Sequence, residues 1–267
     1  MAGERATWRA LVLAASRGPD DPMARAFGVS HKCLVEVAGR PMLARVIEAL
    51  RGCERIGGIV IIIEEEEIAR QALGGSLPEG VSVMKPRESA ASSVMAAARG
   101  GDFPQLVTTA DHALLDGRML EHFLAAAEAM DDADLAVALA RAGVVEGAYP
   151  EVARTWLRLG GERVSSCNLF ALNDERALKA VSFWRKAEKN RKRPWKIALS
   201  LGPVALLRMI FGGGGAGAAL EQAGRRLGVV ARPVFMPMAE AAVDVDKPSD
   251  HALAERILAD RQGPSGA

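Results

Sequence analysis

The stretch that decides the fold is WRALVLAASRG, residues 8–18, where a short apolar run leads directly into small residues and a glycine. This pattern predicts a buried strand over 8–14 that ends in a loop. Further strands are predicted at 58–63, 81–84, 105–110 and 134–140, with helices at 42–50, 89–99 and 120–130. Because strands and helices alternate, we expect an α/β fold with a mostly parallel sheet and helices on both faces.

The alternation changes after Gly143. The elements predicted there are strands at 155–159 and 168–172, a long basic helix at 174–196, a strand at 229–235 and a closing helix at 249–261. Single α/β domains routinely reach roughly 200–250 residues. We therefore expect one domain over 1–267, with a helical and β insertion at about 143–228 that faces the substrate.

The composition is that of an ordinary globular protein, because 49% of the 267 residues are hydrophobic, 25% are charged and 4% are aromatic. Lys and Arg total 34 against 33 Asp and Glu, so the chain generates no strong field to attract a polyanion. We therefore expect no nucleic acid as partner. Cys33, Cys53 and Cys167 are widely spaced without a pattern of metal ligands, which predicts reduced thiols in a cytoplasmic protein.

An apolar stretch at 197–220 reaches the length of a membrane span. Pro203, Arg208 and the glycines at 212–215 would interrupt a spanning helix, so we expect a buried or interfacial helix followed by a turn. The residues just before it, 185–196, include seven basic side chains. They suit a solvated helix face, or a platform for a substrate phosphate or an acidic membrane surface, so peripheral membrane contact through 185–211 is an open alternative.

Several charged residues follow the predicted strands, where ligands of parallel α/β sheets bind. Lys32 lies downstream of the first strand, and Asp111 directly follows the strand at 105–110. Asp244 and Asp246 lie on one side of an extended segment, so either could join Asp111 around one metal. Mg²⁺ suits such a site because it takes one or two protein carboxylates plus phosphate oxygens. A turn or helix-capping role is the alternative interpretation of Asp111.

Another strand exit, residues 85–94, places several hydroxyl groups at the start of a helix. Ser89 is positioned to cap that helix, and capping alone would explain its presence. If the hydroxyl groups contact a nucleobase instead, the segment favours CTP over GTP as the nucleotide.

Four strings of sequence together resemble a known family. They are LVLAASRG with the downstream Lys32, then LVEVAGRPMLARVIEAL, LVTTADHALLD and VDVDKPSDHALAERIL. Over most of 9–140, and again over 229–261, the chain resembles the nucleotidyltransferases with a molybdenum-cofactor-guanylyltransferase-like fold, whose relatives include nucleotide-sugar and polyol-phosphate cytidylyltransferases. The resemblance implies a Rossmann-like (GT-A-like) sheet and a nucleotidyltransferase activity.

The resemblance also implies roles for individual residues. The loop after the first strand would line the nucleotide phosphates, with Lys32 neutralising their charge. Three residues of the second strand exit fall where such enzymes contact the base. Asp111 and Asp246 match the two carboxylates that hold Mg²⁺, with Asp244 as a reserve candidate. The loop residues are Ala14, Ala15, Ser16 and Arg17, and the base-contacting residues are Pro86, Ser89 and Ser93.

The implied reaction is the Mg²⁺-dependent coupling of a nucleoside triphosphate to a phosphate monoester, with release of pyrophosphate. The acceptor would be a sugar, polyol or lipid-precursor phosphate. Two alternatives stay open. A metal-dependent GT-A-type glycosyltransferase would use the same strand-end aspartate with a nucleotide sugar. A nucleotide-binding relative without catalysis is suggested because Ala14, Ala15 and Ser16 replace the glycine-rich start of the family's first loop.

Overall fold

A computed structural model describes residues 7–16, 18, 20–151, 156–189 and 214–262 of the chain. Its strands are β1 (Trp8–Leu13), β2 (Glu36–Val37), β3 (Arg40–Pro41), β4 (Ile56–Ile62), β5 (Val81–Met84), β6 (Gln105–Thr109), β7 (Leu135–Arg141), β8 (Leu157–Leu159), β9 (Glu162–Leu172) and β10 (Ala231–Phe235). Its helices are α1 (Pro22–Ala26), α2 (Met42–Arg51), α3 (Glu66–Ala72), α4 (Ala90–Arg99), α5 (Gly117–Glu128), α6 (Ala142–Ala148), α7 (Leu178–Lys189), α8 (Gly215–Leu227) and α9 (Pro248–Gln262). Short 3₁₀ turns lie at Lys32–Leu34, Glu175–Ala177 and Ala239–Ala242.

Eight of the strands form one sheet, in the order β10-β7-β9-β6-β1-β4-β5, with β8 paired to β9. The pairs β1–β4, β1–β6, β4–β5 and β7–β10 are parallel. Within the sheet, only β9 runs against this direction, and it lies between β6 and β7. The short strand β8 pairs antiparallel with β9 and therefore shares the direction of the parallel strands. The predicted α/β fold with a mostly parallel sheet is therefore confirmed.

Helices cover both faces of the sheet and form two separate apolar layers. On one face, α2, α3 and α5 pack against strand residues such as Ala136 and Ala138, which are fully buried. On the other face, α4 and α7 pack against residues that include Leu11 and Val107. Burial of each large apolar side chain stabilises the fold by roughly 1.5–3 kcal/mol, so both layers contribute.

The strands and helices predicted up to residue 141 are present in the structure, with ends that shift by a few residues, whereas the short helix α1 and the strands β2 and β3 were not predicted. Beyond that point, β9 is longer than the strand predicted at 168–172, and helices α6 and α8 were not predicted. The end of the basic helix and most of the apolar stretch, residues 190–213, lie outside the described residues, and with them the central part of the proposed membrane contact. In the described parts of the chain, no helix has the length and apolar character that a membrane span needs.

Candidate active site

The carboxyl ends of the central strands meet at one edge of the sheet. In the parallel register, Leu13 of β1 lies between Ile62 of β4 and Thr109 of β6. Two backbone hydrogen bonds continue the pairing just beyond the strand ends: Ala14 N–H donates to the Ile62 carbonyl at 3.0 Å, and Ala110 N–H donates to the Leu13 carbonyl at 2.9 Å. Residues that follow these strands are therefore neighbours, as expected for ligand sites of α/β sheets.

A lysine between two carboxylates lies at the centre of this edge. The Lys32 ammonium nitrogen, Nζ, lies 2.5 Å from Asp111 Oδ2 and 2.6 Å from Asp246 Oδ1. Lys32 and Asp111 are largely buried, whereas about half of the Asp246 side chain is exposed. The three residues are far apart in sequence, so the fold itself brings them together.

Two backbone contacts hold the segment of Asp246 in place. Val245 N–H donates to the Asp111 carbonyl at 3.0 Å, which fixes the closing segment against the end of β6. The N–H of Asp246 donates to Oδ2 of the buried Asp250, in the first turn of α9, at 3.3 Å. Of the two aspartates that the sequence offered as partners of Asp111, Asp246 is the one whose carboxylate contacts Lys32. These two contacts hold Asp246 beside Asp111.

The charge of Lys32 is set by two opposing effects. Burial by itself lowers the pKa of the ammonium group, but the charges and hydrogen bonds of Asp111 and Asp246 outweigh it, so the pKa lies above its ordinary value. The side chain is therefore a cation at every physiological pH. A cation held at the sheet edge can neutralise the phosphate charge of a ligand.

The neutral side chains of Thr109 and Asn168 position the Asp111 carboxylate through hydrogen bonds. The Thr109 hydroxyl donates to Asp111 Oδ1 at 2.5 Å, and the Asn168 amide Nδ2 donates to Thr109 Oγ1 at 3.2 Å. Asn168 lies in β9 with a φ of 49°, in the left-handed region that Asn tolerates better than most residues. The irregular backbone coincides with a break in the β7–β9 register between Val137 and Leu139. Such bulges commonly re-aim a side chain beside an active site.

The loop after β1 is supported by an acidic residue at the end of the neighbouring strand. Ser16 N–H donates to Glu64 Oε1 at 2.9 Å, and Glu64 Oε2 lies 3.9 Å from His31 Nε2. The Ser16 hydroxyl bonds the backbone of Gly18, which has a φ of 107° that only glycine adopts easily. Ala14 and Ala15 line the space beside Lys32. Arg17 lies outside the described residues.

The second strand exit forms a helix cap. Ser89 is the N-cap of α4 and accepts a hydrogen bond from Ser92 N–H at 3.2 Å. The buried Ser93 hydroxyl donates to the Ser89 carbonyl and accepts from Arg87 N–H. Pro86 is half-buried just before this cap. The capping role of Ser89 is confirmed, and the contact of Pro86, Ser89 and Ser93 with a base stays a prediction.

A cavity of about 470 Å³ opens from the same edge. Volumes of roughly 300–1,000 Å³ are typical of small-molecule sites. It lies between one sheet face and the helices α4 and α7, and both Lys32 and Asp111 line it. Most of the remaining lining is apolar: Leu13, Ala90, Val94, Val107, Leu135, Val137, Phe170, Leu172, Ala180, Val181 and Trp184.

The donor set at the edge fits the Mg²⁺ ion that the sequence predicts. Asp111 and Asp246 each place a carboxylate oxygen within 2.6 Å of one common position, which here is that of the Lys32 ammonium. Two carboxylates complete a magnesium site when phosphate oxygens supply the other ligands. Among the described residues, no cluster of three or more His, Cys, Asp or Glu side chains offers a metal site made by protein alone. A metal here would therefore arrive with, or be completed by, a phosphate ligand.

Sequence reasoning missed Glu64, Thr109 and Asn168. Glu64 and Thr109 carried a signal, because each lies at the end of a predicted strand. Glu64 is also the first of four consecutive glutamates, a run that suits the acidic first turn of a helix, and the helix itself begins at Glu66. The sequence around Asn168 does not indicate a functional role. That role depends on the position of β9, which lies antiparallel between β6 and β7.

The chain is similar to known proteins in sequence and in fold. The model of the MobA-like NTP transferase domain family matches residues 10–188. No curated protein matches the chain. A structure described as a hypothetical transferase from Thermus thermophilus is 28% identical, with a TM-score of 0.74, over 92% of this chain and 99% of that one.

Two more distant structures share the fold. A 4-diphosphocytidyl-2C-methyl-D-erythritol synthase from Anaerococcus prevotii is 10% identical, with a TM-score of 0.59, over 96% of this chain and 100% of that one. A CMP:2-keto-3-deoxy-manno-octonic acid synthetase complexed with CTP is 15% identical, with a TM-score of 0.56, over the same shares. At these identities the likeness establishes the fold alone.

Proposed function

Because this chain belongs to the MobA-like NTP transferase family, and is thus a nucleotidyltransferase, we propose that it couples CTP to a phosphate monoester and releases pyrophosphate. The single observation that carries the proposal is the position of Lys32 between Asp111 and Asp246 at the sheet edge, with a cavity beside it. The acceptor is a sugar, polyol or lipid-precursor phosphate, and the resident metal is Mg²⁺. A cytoplasmic location, expected from three buried free cysteines, belongs to the same proposal.

The reaction needs no general base, because a phosphate monoester is already an anion at neutral pH. An acceptor phosphate oxygen forms a bond to the α-phosphorus of the triphosphate, in line with the bond that breaks. That broken bond joins the α-phosphorus to the oxygen bridging it to the β-phosphate, and its electron pair leaves with pyrophosphate. The two reactants are both negatively charged, so positioning and charge neutralisation are the enzyme's tasks.

The residues divide these tasks. Lys32 and Arg17 share the neutralisation of phosphate charge, and the backbone of Ala14, Ala15 and Ser16 lines the phosphates. Asp111 and Asp246 hold Mg²⁺, which when bound acts as a Lewis acid on phosphate oxygens. With Mg²⁺ held there, the charges of Asp111 and Asp246 would be balanced, and the Lys32 ammonium would be available to donate to a phosphate oxygen.

The choice of CTP has two supports. The hydroxyl-rich segment that follows β5 suits a pyrimidine base. In addition, two structures with the same fold are described as a diphosphocytidyl-compound synthase and as a synthetase complexed with CTP. GTP is the second candidate.

A thermal-shift experiment tests the proposal. The purified protein is melted with each of the four ribonucleoside triphosphates and with UDP-glucose, with and without Mg²⁺, for the wild type and Asp111→Ala. A ligand that binds the native state raises the melting temperature. We expect a metal-dependent rise with CTP that weakens in the variant, while the exposed-aspartate control Asp131→Ala behaves like the wild type. A rise with UDP-glucose alone would indicate a glycosyltransferase. A rise with CTP, but no release of pyrophosphate from CTP in the presence of any acceptor, would indicate lost catalysis.

A further inference from the structure

We propose that the acceptor is a phosphate monoester carried on an apolar hydrocarbon body, and that this body occupies the cavity between the sheet and the helices α4 and α7. The inference rests on the proposed nucleotidyltransferase function and selects one acceptor class among those left open there. The observations that carry it are the position of polar and apolar residues along the cavity and the continuity of the cavity with Lys32 and Asp111.

The cavity is polar only where it meets the site. Thr109 and Asn168 line it beside Asp111, and they are joined to one another and to that carboxylate by hydrogen bonds. Lys32 lies at the same end, together with the buried Asp21, whose carboxylate caps α1 by accepting from two backbone N–H groups. A phosphate head group at this end finds a cation and positioned neutral partners.

Deeper in the cavity the sheet supplies two apolar rows. The register places Val107, Phe170 and Val137 side by side in the first row. The second row, two residues further along each strand, contains Leu172 and Leu135. With a rise of about 3.3 Å per residue, the second row lies roughly 13 Å from the level of Thr109 and Asn168. All five side chains line the cavity, so its depth suits an extended chain rather than a compact sugar.

The helices close the cavity with residues of the same character. Ala180, Val181 and Trp184 of α7 and Ala90 and Val94 of α4 line the wall that faces the strands. Below Thr109 and Asn168, the indole N–H of Trp184 is the one polar side-chain group among the described lining residues. The hydroxyl groups of a sugar or polyol would lose water there without gaining partners, which is unfavourable.

The two faces of the same strands differ in a way that points to a ligand. On the face covered by α2 and α5, Ala136, Ala138 and Ala171 are fully buried. On the cavity face, Leu135, Val137 and Phe170 are larger and only partly buried, although α4 and α7 cover that layer. Large apolar side chains that remain accessible inside a covered layer are what an apolar ligand would bury.

A clamp between the two helices keeps the wall in position. Glu188 of α7 accepts a hydrogen bond from Ala91 N–H, at the start of α4, at 3.2 Å. This contact joins α4 to α7 beside the open end of the cavity. The cavity is thus bounded by two helices that are fixed to each other as well as to the sheet.

A chain-length series tests the proposal. Pyrophosphate release from CTP is measured with ethyl, butyl, octyl and dodecyl phosphate, each below its micelle-forming concentration, against glycerol 3-phosphate and ribose 5-phosphate. We expect kcat/KM to rise by up to about fourfold per added methylene and then level off once the cavity is filled. Farnesyl phosphate and a monoacylglycerol phosphate then distinguish an isoprenoid from an acyl acceptor. Turnover of the polar phosphates with no response to alkyl length overturns the proposal and leaves the nucleotidyltransferase function intact.

A matched pair of variants links the response to the cavity. Ala180→Phe fills it from α7, and we expect the preference for octyl and dodecyl phosphate to be lost. Ala125→Phe makes the same change at a half-buried alanine of α5, outside the cavity lining, and we expect the wild-type length dependence. Equal length dependence in both variants contradicts the assignment.

A nucleotide-free measurement keeps the test independent of catalysis. Calorimetry with dodecyl phosphate alone is expected to detect binding to the wild type, and at least tenfold weaker binding of glycerol 3-phosphate. If CTP binds but dodecyl phosphate does not, the apolar acceptor is wrong. If dodecyl phosphate binds but no triphosphate does, the proposed function fails while the cavity assignment holds.

Discussion

The backbone N–H of Val245 donates a hydrogen bond of 3.0 Å to the carbonyl of Asp111, and this contact joins the two segments that carry the site's carboxylates. Asp111 follows a central strand, whereas Asp246 belongs to an irregular segment just before the last helix. This backbone bond brings the two segments together without depending on the side chains of Asp111 and Asp246. The geometry around Lys32 can therefore be tested by changing side chains one at a time.

Removal of the Asp111 carboxylate is expected to abolish most of the activity. We expect Asp111→Ala to lower the rate of pyrophosphate release by at least ~10²-fold, because one electrostatic stabiliser of the reacting phosphates is lost. The exposed Asp131→Ala serves as the matched control and should retain the wild-type rate. Near-normal turnover in Asp111→Ala would remove this residue from the mechanism.

Substitution of Lys32 is expected to change how the protein responds to magnesium. Lys32→Met leaves the carboxylates of Asp111 and Asp246 without their shared cation, so we expect a lower melting temperature in the absence of metal. Mg²⁺ should raise that temperature more in the variant than in the wild type, because no ammonium group competes for the two carboxylates. Lys179→Met, at an exposed lysine bonded to the Gly228 carbonyl, is the control. An equal response to Mg²⁺ in all three proteins would contradict a shared cation position.

The Thr109 hydroxyl is expected to act by orienting Asp111. Thr109→Val removes the hydrogen bond to Asp111 Oδ1 at nearly constant volume, and we expect turnover to fall by about tenfold, since hydrogen bonds to charged groups contribute roughly 1.5–3 kcal/mol. Thr109→Ser keeps the hydroxyl and should recover most of the rate. Steady-state kinetics of both variants check the prediction, and equal rates would show that the hydroxyl group has no part in it.

Two substitutions separate the backbone role of Asn168 from its side-chain role. Asn168→Gly accepts the positive φ but loses the amide that bonds Thr109, so we expect reduced turnover with near-normal stability. Asn168→Ala loses the same amide and also places a Cβ in the left-handed region, which costs roughly 1–2 kcal/mol. Urea unfolding and kinetics, measured together, should give similar rates but a lower stability for the alanine variant. Equal stabilities would argue against strain at this position.

A buried thiol beside the site predicts an alkaline loss of stability. Burial raises the pKa of Cys33 to about 12, and the charge of Glu64 adds to the effect. The thiol is then protonated in the folded state and ionises near pH 9 in the unfolded state, so its contribution is complete below pH 9 and is lost as the pH rises towards 12. Urea unfolding of wild type and Cys33→Ala should differ by about 2 kcal/mol less at pH 10.5 than at pH 8. A constant difference would contradict the raised pKa.

Local sequence pattern was sufficient for the parallel part of the fold. The runs at 8–14 and 58–63 indicate buried strands because each is short, apolar and close to glycine, and the second is also β-branched. The same reasoning located Lys32 and Asp111, since residues that follow parallel strands share an edge. The choice of Asp246 over Asp244 needed the structure, because it depends on which carboxylate contacts Lys32, a residue far away in the sequence.

The parts that could not be predicted depend on contacts between distant segments. The direction of β9 is decided by its pairing with β6 and β7, and a strand's own residues do not encode the direction of its neighbours. Glu64 illustrates a second cause, since four consecutive glutamates suit a helix start, and only the tertiary contact with Ser16 separates the first from the rest. Asn168 was missed for both reasons, because its position depends on the direction of β9 and its role depends on the contact with the distant Thr109.

Because β9 runs against its neighbours, its side chains line the cavity at distances from the site that increase along the chain. In the parallel strands, the residues nearest the site are the last ones of the strand. In β9, Asn168 lies nearest the site, and Phe170 and Leu172 lie successively further from it. Each step of two residues along it moves the floor of the cavity by roughly 7 Å. Substitution of Phe170 by a shorter residue, or of Leu172 by a longer one, would change the length of the proposed apolar acceptor that fits the cavity. The reacting groups would keep their positions.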